Sequence, residues 1–262
     1  MRQREPGIDM DRSVFVTEAK IEATHWWFVV RRHLFATLIE KTGISRDATV
    51  VDIGTGTGAN LRLLTQMGFV DVTGIDPSEH AAHWCAEKNL GNVRTGDIRA
   101  LPLTDSSVDL LLATDVIEHV NEDDQAVAEI RRVLRPGGTA LITVPAFPSL
   151  WGLQDIKSHH YRRYRMTPFL KLLEQSGLVV ENNFYFNYLL FAPIYVARQI
   201  IRLAGVELSS ENEVNNPVLN RVLSFVFRLD VMTAPFLKPP IGVSILALVR
   251  RPRDWSTTKG HP

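Results

Sequence analysis

Short apolar runs alternate with helical patterns along the first half of the chain. The runs are rich in β-branched and aliphatic residues, which is typical of buried parallel strands, and helical patterns begin near Gly58, Ser78 and Asn121. Strands joined by crossover helices build an open, doubly wound α/β sheet, which binds ligands beyond the carboxyl ends of its strands. The predicted strands are residues 49–53, 70–75, 92–95, 108–113 and 139–144.

The alternation stops after Val144. The next clear pattern predicts a helix over Thr167–Ser176, with Thr167 as its N-cap and Pro168 at its first helical position. Two more apolar runs predict the last strands of the sheet. These runs are Leu178–Phe186 and Val243–Val249.

The segment between these last two strands is too long for a plain loop. It carries helical apolar patterns over Tyr188–Leu203 and Val218–Leu237, so we predict a helical cap. The patterns divide the chain into four parts. These are an N-terminal helical lid (residues 1–45), a core in two pieces (46–186 and 242–251), the cap insertion (187–241) and a disordered polar tail (252–262).

Aromatic residues are concentrated in the predicted lid, in the run His25-Trp26-Trp27-Phe28. Taken alone, the run favours a helix that packs its aromatic side chains on the core, because large aromatic side chains are mostly buried for packing. The alternative is a lid over a small-molecule pocket.

Composition removes several classes of function. The 262 residues include 29 basic and 29 acidic side chains, so no global field attracts nucleic acid, and no nucleic-acid partner is expected. Cys85 is the only cysteine, which excludes an internal disulfide and makes a cysteine-based metal cluster implausible. The first residues lack the apolar core of a signal peptide and no apolar run reaches the roughly 18 residues of a membrane span, so we expect a cytoplasmic protein.

A glycine-rich turn follows the first predicted strand. Gly54, Gly56 and Gly58 lie just past Asp52, where glycine lets the backbone turn sharply and approach a ligand. Enzymes that bind dinucleotides and enzymes that bind S-adenosylmethionine share such a turn. With Ala59 in the third place the turn even satisfies the looser dinucleotide fingerprint, so the turn alone leaves both cofactors open.

Carboxylates follow the next strands at the same edge of the sheet. Asp76 follows the second strand, where it could accept hydrogen bonds from both ribose hydroxyls of an adenosine. Asp97 and Ile98 follow the third strand, where a carboxylate and an apolar side chain could flank an adenine. The fourth strand leads into the polar segment Thr114–Val120.

This combination resembles the class I S-adenosylmethionine-dependent methyltransferases of the type 11 kind, over about residues 48–145. The resemblance implies a Rossmann-like sheet of seven strands, mostly parallel with an antiparallel last strand, S-adenosylmethionine as cofactor and no metal. It places the methionine part of the cofactor over the glycine turn, the ribose on Asp76 and the adenine beside Asp97 and Ile98. The implied cofactor residues are Trp27, Arg31, Asp52, Gly54, Thr55, Gly56, Gly58, Asp76, Pro77, Asp97, Ile98, Thr114, Asp115, Val116 and His119.

The aromatic N-terminal run is similar to a segment that closes over the cofactor in a subset of these enzymes. An arginine suits the cofactor carboxylate, because its planar fork gives two parallel charge-assisted hydrogen bonds. We expect Arg31 rather than Arg32 to make them.

The acceptor side is predicted from histidines, which are the usual bases near neutral pH. His160 and Tyr164 lie after the fifth strand, in a run that resembles the same subset of methyltransferases. They are the candidate catalytic residues, together with His119, for which a structural or cofactor-side role is favoured. A salt-bridged surface loop is the alternative for this run.

These features predict a methyltransferase that uses S-adenosylmethionine and acts on a small acceptor. The apolar pattern Tyr188–Ala197, followed by Arg198 and Arg202, favours a cap packed on the sheet. The alternative is an amphipathic helix at the inner face of the membrane, with a hydrophobic or lipid-linked acceptor. The alternative functions are a NAD-dependent oxidoreductase and a non-catalytic, cofactor-binding regulatory protein.

Overall fold

The computed structural model describes residues 19–90, 92–204 and 217–253, without the side chains of residues 202–204. The predictions for the start of the chain, for the side chain of Arg202 and for most of the polar tail lie outside this part. None of the described helices is long and apolar enough to cross a membrane.

The sequence pattern located most of the regular elements to within three residues, but the fifth strand begins at Leu134, five residues before the predicted start, and the helix Leu153–Lys157 was not predicted. The strands are β1 (Thr49–Ile53), β2 (Asp71–Asp76), β3 (Asn92–Thr95), β4 (Val108–Thr114), β5 (Leu134–Pro145), β6 (Val179–Phe186) and β7 (Ser244–Arg250). The helices are α1 (Trp26–Thr42), α2 (Ala59–Gln66), α3 (Glu79–Glu87), α4 (Asp123–Val133), α5 (Leu153–Lys157), α6 (Met166–Gln175), α7 (Phe191–Ala204) and α8 (Pro217–Leu237), with short 3₁₀ turns at Ile117–His119 and Pro148–Leu150.

The strands form one seven-stranded sheet in the order β3-β2-β1-β4-β5-β7-β6. Strands β1 to β5 pair in parallel, and β7 lies between β5 and β6 and is antiparallel to both. The strand order reverses between β1 and β4, which is where a doubly wound sheet binds its ligand. The predicted fold class is confirmed, including the antiparallel last strand.

Helices cover both faces of the sheet, because alternate strand residues point to opposite sides. On one face, Val51 and Leu111 belong to a core that includes residues of α4 and Phe169 of α6. On the other face, Val50 and Leu110 belong to a second core with residues of α1, α2 and α8. The carboxyl ends of the central strands therefore open between two helical layers.

The predicted N-cap of α6 is wrong. The helix begins at Met166, with Arg165 in the N-cap position, so Thr167 lies inside it. The cause is tertiary, because the Met166 N–H donates to the hydroxyl of Tyr185 on β6 at 2.9 Å. A side chain from a distant strand thus satisfies a free N–H at the helix start, which a local pattern cannot show.

Helices α7 and α8 occupy the predicted insertion. Phe227 and Val231 of α8 are buried and belong to the same core as α1. The buried carboxylate of Asp230 accepts hydrogen bonds from the N–H of Asn187, at 2.7 Å, and of Leu189, at 2.8 Å. Asp230 thereby fixes the chain where it leaves β6 towards α7.

Candidate functional site

A cavity of about 920 Å³ opens at the carboxyl ends of the central strands. All the predicted site residues line it except Asp52, Gly58 and Tyr164. The predicted residues in the lining are Trp27, Arg31, Gly54, Thr55, Gly56, Asp76, Pro77, Asp97, Ile98, Thr114, Asp115, Val116, His119 and His160.

Two positions of the glycine turn require glycine, because their backbone φ angles are positive and because a Cβ atom would collide with neighbouring side chains. Gly54 has a φ of +70°, and a Cβ there would lie 2.5 Å from a methyl carbon of Val116. Gly58 has a φ of +85°, and a Cβ would lie 2.9 Å from the sulfur of Cys85. A side chain at either position would strain the turn and push these neighbours apart. Gly58 is therefore a packing residue below the turn.

Asp76 joins the second strand to the glycine turn. One carboxylate oxygen accepts a hydrogen bond from the Gly56 N–H at 2.8 Å, and the other accepts one from the Ser78 N–H at 2.9 Å. The residue is almost fully buried yet lines the cavity. Each carboxylate oxygen has a second lone pair, so Asp76 can also accept hydrogen bonds from hydroxyl groups of a ligand.

Asp52 supports the turn from beneath it. It is fully buried, and one of its oxygens accepts a hydrogen bond from the side-chain amide of Asn60 at 3.0 Å. Burial raises the pKa of Asp52 to about 7. Asn60 also donates to the Thr114 hydroxyl, so this pair ties the turn to the end of β4.

Asp97 lies in the cavity wall with a partner that the sequence did not indicate. Arg99 forms an ion pair with Asp97 at 2.6 Å and with Glu122 at 2.9 Å. The hydrogen bonds from Arg99 lower the pKa of Asp97. The carboxylate is thus held ionised and in a fixed orientation near Ile98.

The aromatic N-terminal run both packs on the core and closes the cavity. The Trp27 ring stacks on Phe227 of α8 and on Phe186 of β6, with centroid distances of 5.2 and 5.9 Å. Trp26 makes an edge contact with Phe227. Both tryptophans also line the cavity, so the packing interpretation and the lid interpretation each describe part of the segment.

Arg31 projects from α1 towards the end of β4. It forms an ion pair with Asp115 at 2.7 Å, and its guanidinium lies 5.1 Å from the ring centre of Phe35. Its buried Nε has no hydrogen-bond partner among the described residues. An unpaired N–H at the cavity fits an anionic group of a ligand. Arg32 instead donates to the backbone carbonyl of Glu22.

Glu22 is a functional candidate that no sequence motif indicated. Its buried carboxylate accepts hydrogen bonds from the hydroxyl of Thr57 and from Lys88, the latter at 2.8 Å. Lys88 also donates to the Thr57 carbonyl. The chain before α1 is therefore fastened to the glycine turn.

Two histidines meet at the other end of the cavity. The rings of His119 and His160 lie edge to face with centroids 4.6 Å apart. His160 Nδ1 is 2.8 Å from Asp155, which also forms an ion pair with Arg163 at 2.8 Å. Burial alone would raise the pKa of Asp155, but the hydrogen bond from His160 and the charge of Arg163 lower it to about 2. Burial and the neighbouring His160 lower the pKa of His119 to about 3.

Glu118 lies beside these histidines, in the segment Thr114–Val120 that contributed to the resemblance, but it was not among the predicted site residues. It is fully buried, and burial together with the charge of Asp115 raises its pKa well above the usual range. Its Oε1 lies 4.0 Å from His160 Nε2. The backbone carbonyl of Glu118 accepts a hydrogen bond from the Tyr161 N–H, which joins the two loops that carry this cluster.

Tyr164 does not reach the cavity. Its hydroxyl donates to Asp123 at 2.8 Å, and its ring packs beside Phe169 in the core. Burial raises the pKa of Tyr164 far above its ordinary value. The structure thus brings His119 and His160 together and leaves Tyr164 in a supporting position behind them.

Comparisons with known proteins agree with the fold and with S-adenosylmethionine as the cofactor. Residues 51–142 match the family model described as a methyltransferase domain. A Mycolicibacterium smegmatis protein assigned as an S-adenosylmethionine-dependent methyltransferase is 33% identical over 163 residues, which are 60% of this chain and 61% of that protein. The chain thus spans about three fifths of this relative.

Solved structures show the same fold at low sequence identity. A chain in the complex between the Haloferax volcanii Trm112 methyltransferase activator and a protein assigned as a methyltransferase matches with a TM-score of 0.64 and 19% identity, covering 95% of this chain and 98% of that one. The [4+2]-cyclase SpnF matches with a TM-score of 0.54 and 21% identity, covering 84% of this chain and 80% of that one.

The strand order and the cavity at the strand ends define a Rossmann-like fold of the class I methyltransferase kind. Residues 51–142 match a methyltransferase domain, and the chain is similar in sequence to the relative assigned as an S-adenosylmethionine-dependent methyltransferase and in fold to the solved structures. The cofactor of this class of methyltransferases is S-adenosylmethionine.

Proposed function

We propose that this chain transfers a methyl group from S-adenosylmethionine to a small acceptor bound beside His119 and His160. The observation that carries the proposal is the Asp76 carboxylate, fixed by the Gly56 N–H in a cavity that continues to the two histidines. The unpaired Nε of Arg31 fits the carboxylate of the methionine part.

S-adenosylmethionine supplies a methyl group that is already activated on a sulfonium. The protein therefore has mainly to orient the acceptor in line and to exclude water. Trp27 and Phe28 cover the cavity from the N-terminal side. His160, held by Asp155, faces the acceptor end, where it can position a hydroxyl or an amine.

Calorimetry with S-adenosylmethionine, S-adenosylhomocysteine and NAD tests the cofactor assignment. We expect the first two to bind and NAD not to bind. Release of S-adenosylhomocysteine with a panel of hydroxyl, amine and lipid-like acceptors then separates an enzyme from a non-catalytic binding protein. Tight binding of NAD alone would contradict the proposal, and cofactor binding without turnover on any acceptor would favour the regulatory alternative.

Replacing His160 by alanine should lower turnover by about a hundredfold, because a positioned side chain that assists proton transfer contributes about that much or more. The affinity for S-adenosylmethionine should stay nearly unchanged. Steady-state kinetics and calorimetry on the same samples measure both quantities. His159→Ala is the matched control, since His159 is the neighbouring histidine in the lining. A collapse of cofactor binding in the His160 variant would place this residue on the cofactor side.

We also propose that the acceptor is hydrophobic or lipid-linked and is reached at a membrane surface. The support comes from α8, which exposes an apolar stripe at alternating intervals of four and three residues. Phe225 is 64% exposed and Phe236 is 78% exposed. The stripe consists of Val218, Val222, Phe225, Leu229, Met232 and Phe236.

The charges beside this stripe favour an anionic lipid surface as its partner. Arg221 and Arg228 are exposed along one edge of the stripe, and Lys238 is exposed at its end. The only acidic residue of α8 is the buried Asp230. In a dimer formed by this face, the arginines would meet no exposed carboxylate of the facing α8, whereas anionic headgroups would pair with them.

This membrane surface differs from the one that the sequence suggested. Arg198 does not lie on an outer basic face, because it donates to the carbonyl of Leu150 and lies 3.9 Å from Asp155. Helix α7 has one residue at the cavity and one at the surface, since Ile194 lines the cavity while Ile200 is exposed.

Sedimentation with vesicles tests this surface. The protein should pellet with anionic vesicles, and the double variant Phe225→Ser, Phe236→Ser should lose at least about tenfold in vesicle affinity, since each side chain buries apolar area in the interface. Val70→Ser is the matched control, because Val70 is 76% exposed and is not part of the stripe. Equal pelleting of native and double-variant protein would contradict the proposal, and a native dimer that the double variant abolishes would assign the stripe to a second copy.

A further inference from the structure

A compact group of possible metal ligands lies where the turn after β4 meets the loop that carries His160. Glu118, His119 and His160 each offer a ligand atom, and these atoms all lie within 4.8 Å of one another. Neither carboxylate oxygen of the buried Glu118 has a hydrogen-bond partner among the described residues. A buried polar group without a partner costs free energy, so the arrangement points to a ligand that is still to be bound.

The two histidines are oriented as metal ligands usually are. His160 uses Nδ1 for Asp155, which directs its Nε2 towards Glu118. A hydrogen bond joins His119 to the backbone of Ser158. Imidazoles that bind metals generally use one nitrogen for the metal and the other for a carboxylate or a backbone carbonyl, which fixes the ring orientation.

The charges of Arg31 and Arg163 act on Glu118, but neither arginine forms a hydrogen bond with its carboxyl oxygens. Arg31 forms its ion pair with Asp115, and Arg163 forms its ion pair with Asp155. Among the described residues, His160 is the only basic side chain within ion-pair distance of Glu118. The oxygens of Glu118 are thus available to a cation, and binding one would release the proton that the raised pKa of Glu118 holds.

We propose that Glu118, His119 and His160 bind a divalent transition-metal ion, with Zn²⁺ the best match to the donor set. Two imidazoles and one carboxylate form the protein ligands of many catalytic zinc sites, which keep a further position open. Mg²⁺ is a poorer match, because it prefers oxygen ligands in octahedral geometry. This proposal departs from the prediction that no metal takes part.

The open position of this site faces the cavity, because all three residues belong to its lining. A metal there would bind a hydroxyl oxygen of the acceptor and lower the pKa of that hydroxyl, so that its proton would pass to solvent and the oxygen would take the methyl group from the sulfonium. This part of the inference rests on the proposed methyltransferase function. His160 would then act through the metal instead of taking a proton itself.

Metal binding can be measured without cofactor or acceptor. We expect chelator-treated protein to bind about one Zn²⁺ per chain in a competition titration with a chromophoric chelator. Glu118→Gln and His160→Ala should each weaken that binding by at least about a hundredfold, since removing a ligand costs more than the tenfold to hundredfold of an outer partner. His83→Ala is the matched control, because His83 forms an exposed pair with Glu87 at 3.2 Å.

A gentler variant keeps the test decisive if a ligand variant fails to fold. Asp155→Asn leaves all three ligands in place and should weaken zinc binding by about tenfold to a hundredfold. Co²⁺ should give the intense visible absorption of a four-coordinate site in the native protein and not in His160→Ala. Native protein that binds Zn²⁺ no better than the ligand variants would overturn the proposal. That result would leave the methyltransferase assignment intact, because cofactor binding and turnover are measured separately.

Discussion

Replacing Asp76 by alanine should lower the affinity for S-adenosylmethionine by about a thousandfold. Hydrogen bonds to a charged acceptor contribute about 1.5–3 kcal/mol each, and two ribose hydroxyls would lose theirs together. The variant would also free the N–H of Gly56, which Asp76 holds at 2.8 Å, so the glycine turn would lose part of its support. Calorimetry with S-adenosylmethionine measures the affinity, and thermal unfolding shows whether the variant is folded.

Asp71→Ala is the control for this prediction. Asp71 begins the same strand, is exposed, and accepts a hydrogen bond from the Thr49 hydroxyl at 2.9 Å. Its removal should leave cofactor affinity unchanged. If Asp76→Ala bound the cofactor as tightly as Asp71→Ala, the ribose would have to lie elsewhere in the cavity.

The cofactor side could be predicted from the sequence because its residues are local to the strand ends. Gly54, Asp76 and Asp97 each lie at the end of a strand that an apolar run had already indicated, or just after it. Parallel strands bring their carboxyl ends to one edge, so the order of these residues along the chain predicts their position in space. No contact between distant segments had to be known.

The acceptor side could not be predicted in the same way. Asp155 matches no motif, and it becomes important only because the loop brings it to His160 and Arg163. Tyr164 is of a residue type that can act in catalysis, but its hydroxyl turns away to Asp123. Glu118 lies in the segment that contributed to the resemblance and is adjacent to a candidate histidine, yet it was not predicted as a site residue, since its burial depends on segments far away in sequence.

The helical insertion shows a similar limit. The apolar pattern of α8 predicted a helix correctly, but a pattern of apolar residues does not distinguish the buried Phe227 from the exposed Phe225. The distinction depends on which side packs on α1 and on the stacked ring of Trp27. The exposed stripe therefore became visible only in the fold.

Replacing Asp230 by alanine should lower the free energy of unfolding by about 4 kcal/mol. The variant would leave the N–H groups of Asn187 and Leu189 without the carboxylate that accepts from them, and each buried unsatisfied group costs about 1–3 kcal/mol. Asn187 also lines the cavity, so the loss of these hydrogen bonds should increase the mobility of the acceptor end of the cavity as well as lower the stability of the fold. Urea unfolding followed by fluorescence measures the effect.

Asp230→Asn separates hydrogen bonding from packing at this position. Its amide has nearly the shape of the carboxylate but keeps a single oxygen acceptor, so one of the two backbone N–H groups stays paired. The loss should therefore be about half of that in the alanine variant, or about 2 kcal/mol. If both variants lost the same free energy of unfolding, the hydrogen bonds from Asp230 to the residues after β6 would not be what holds α8 in place.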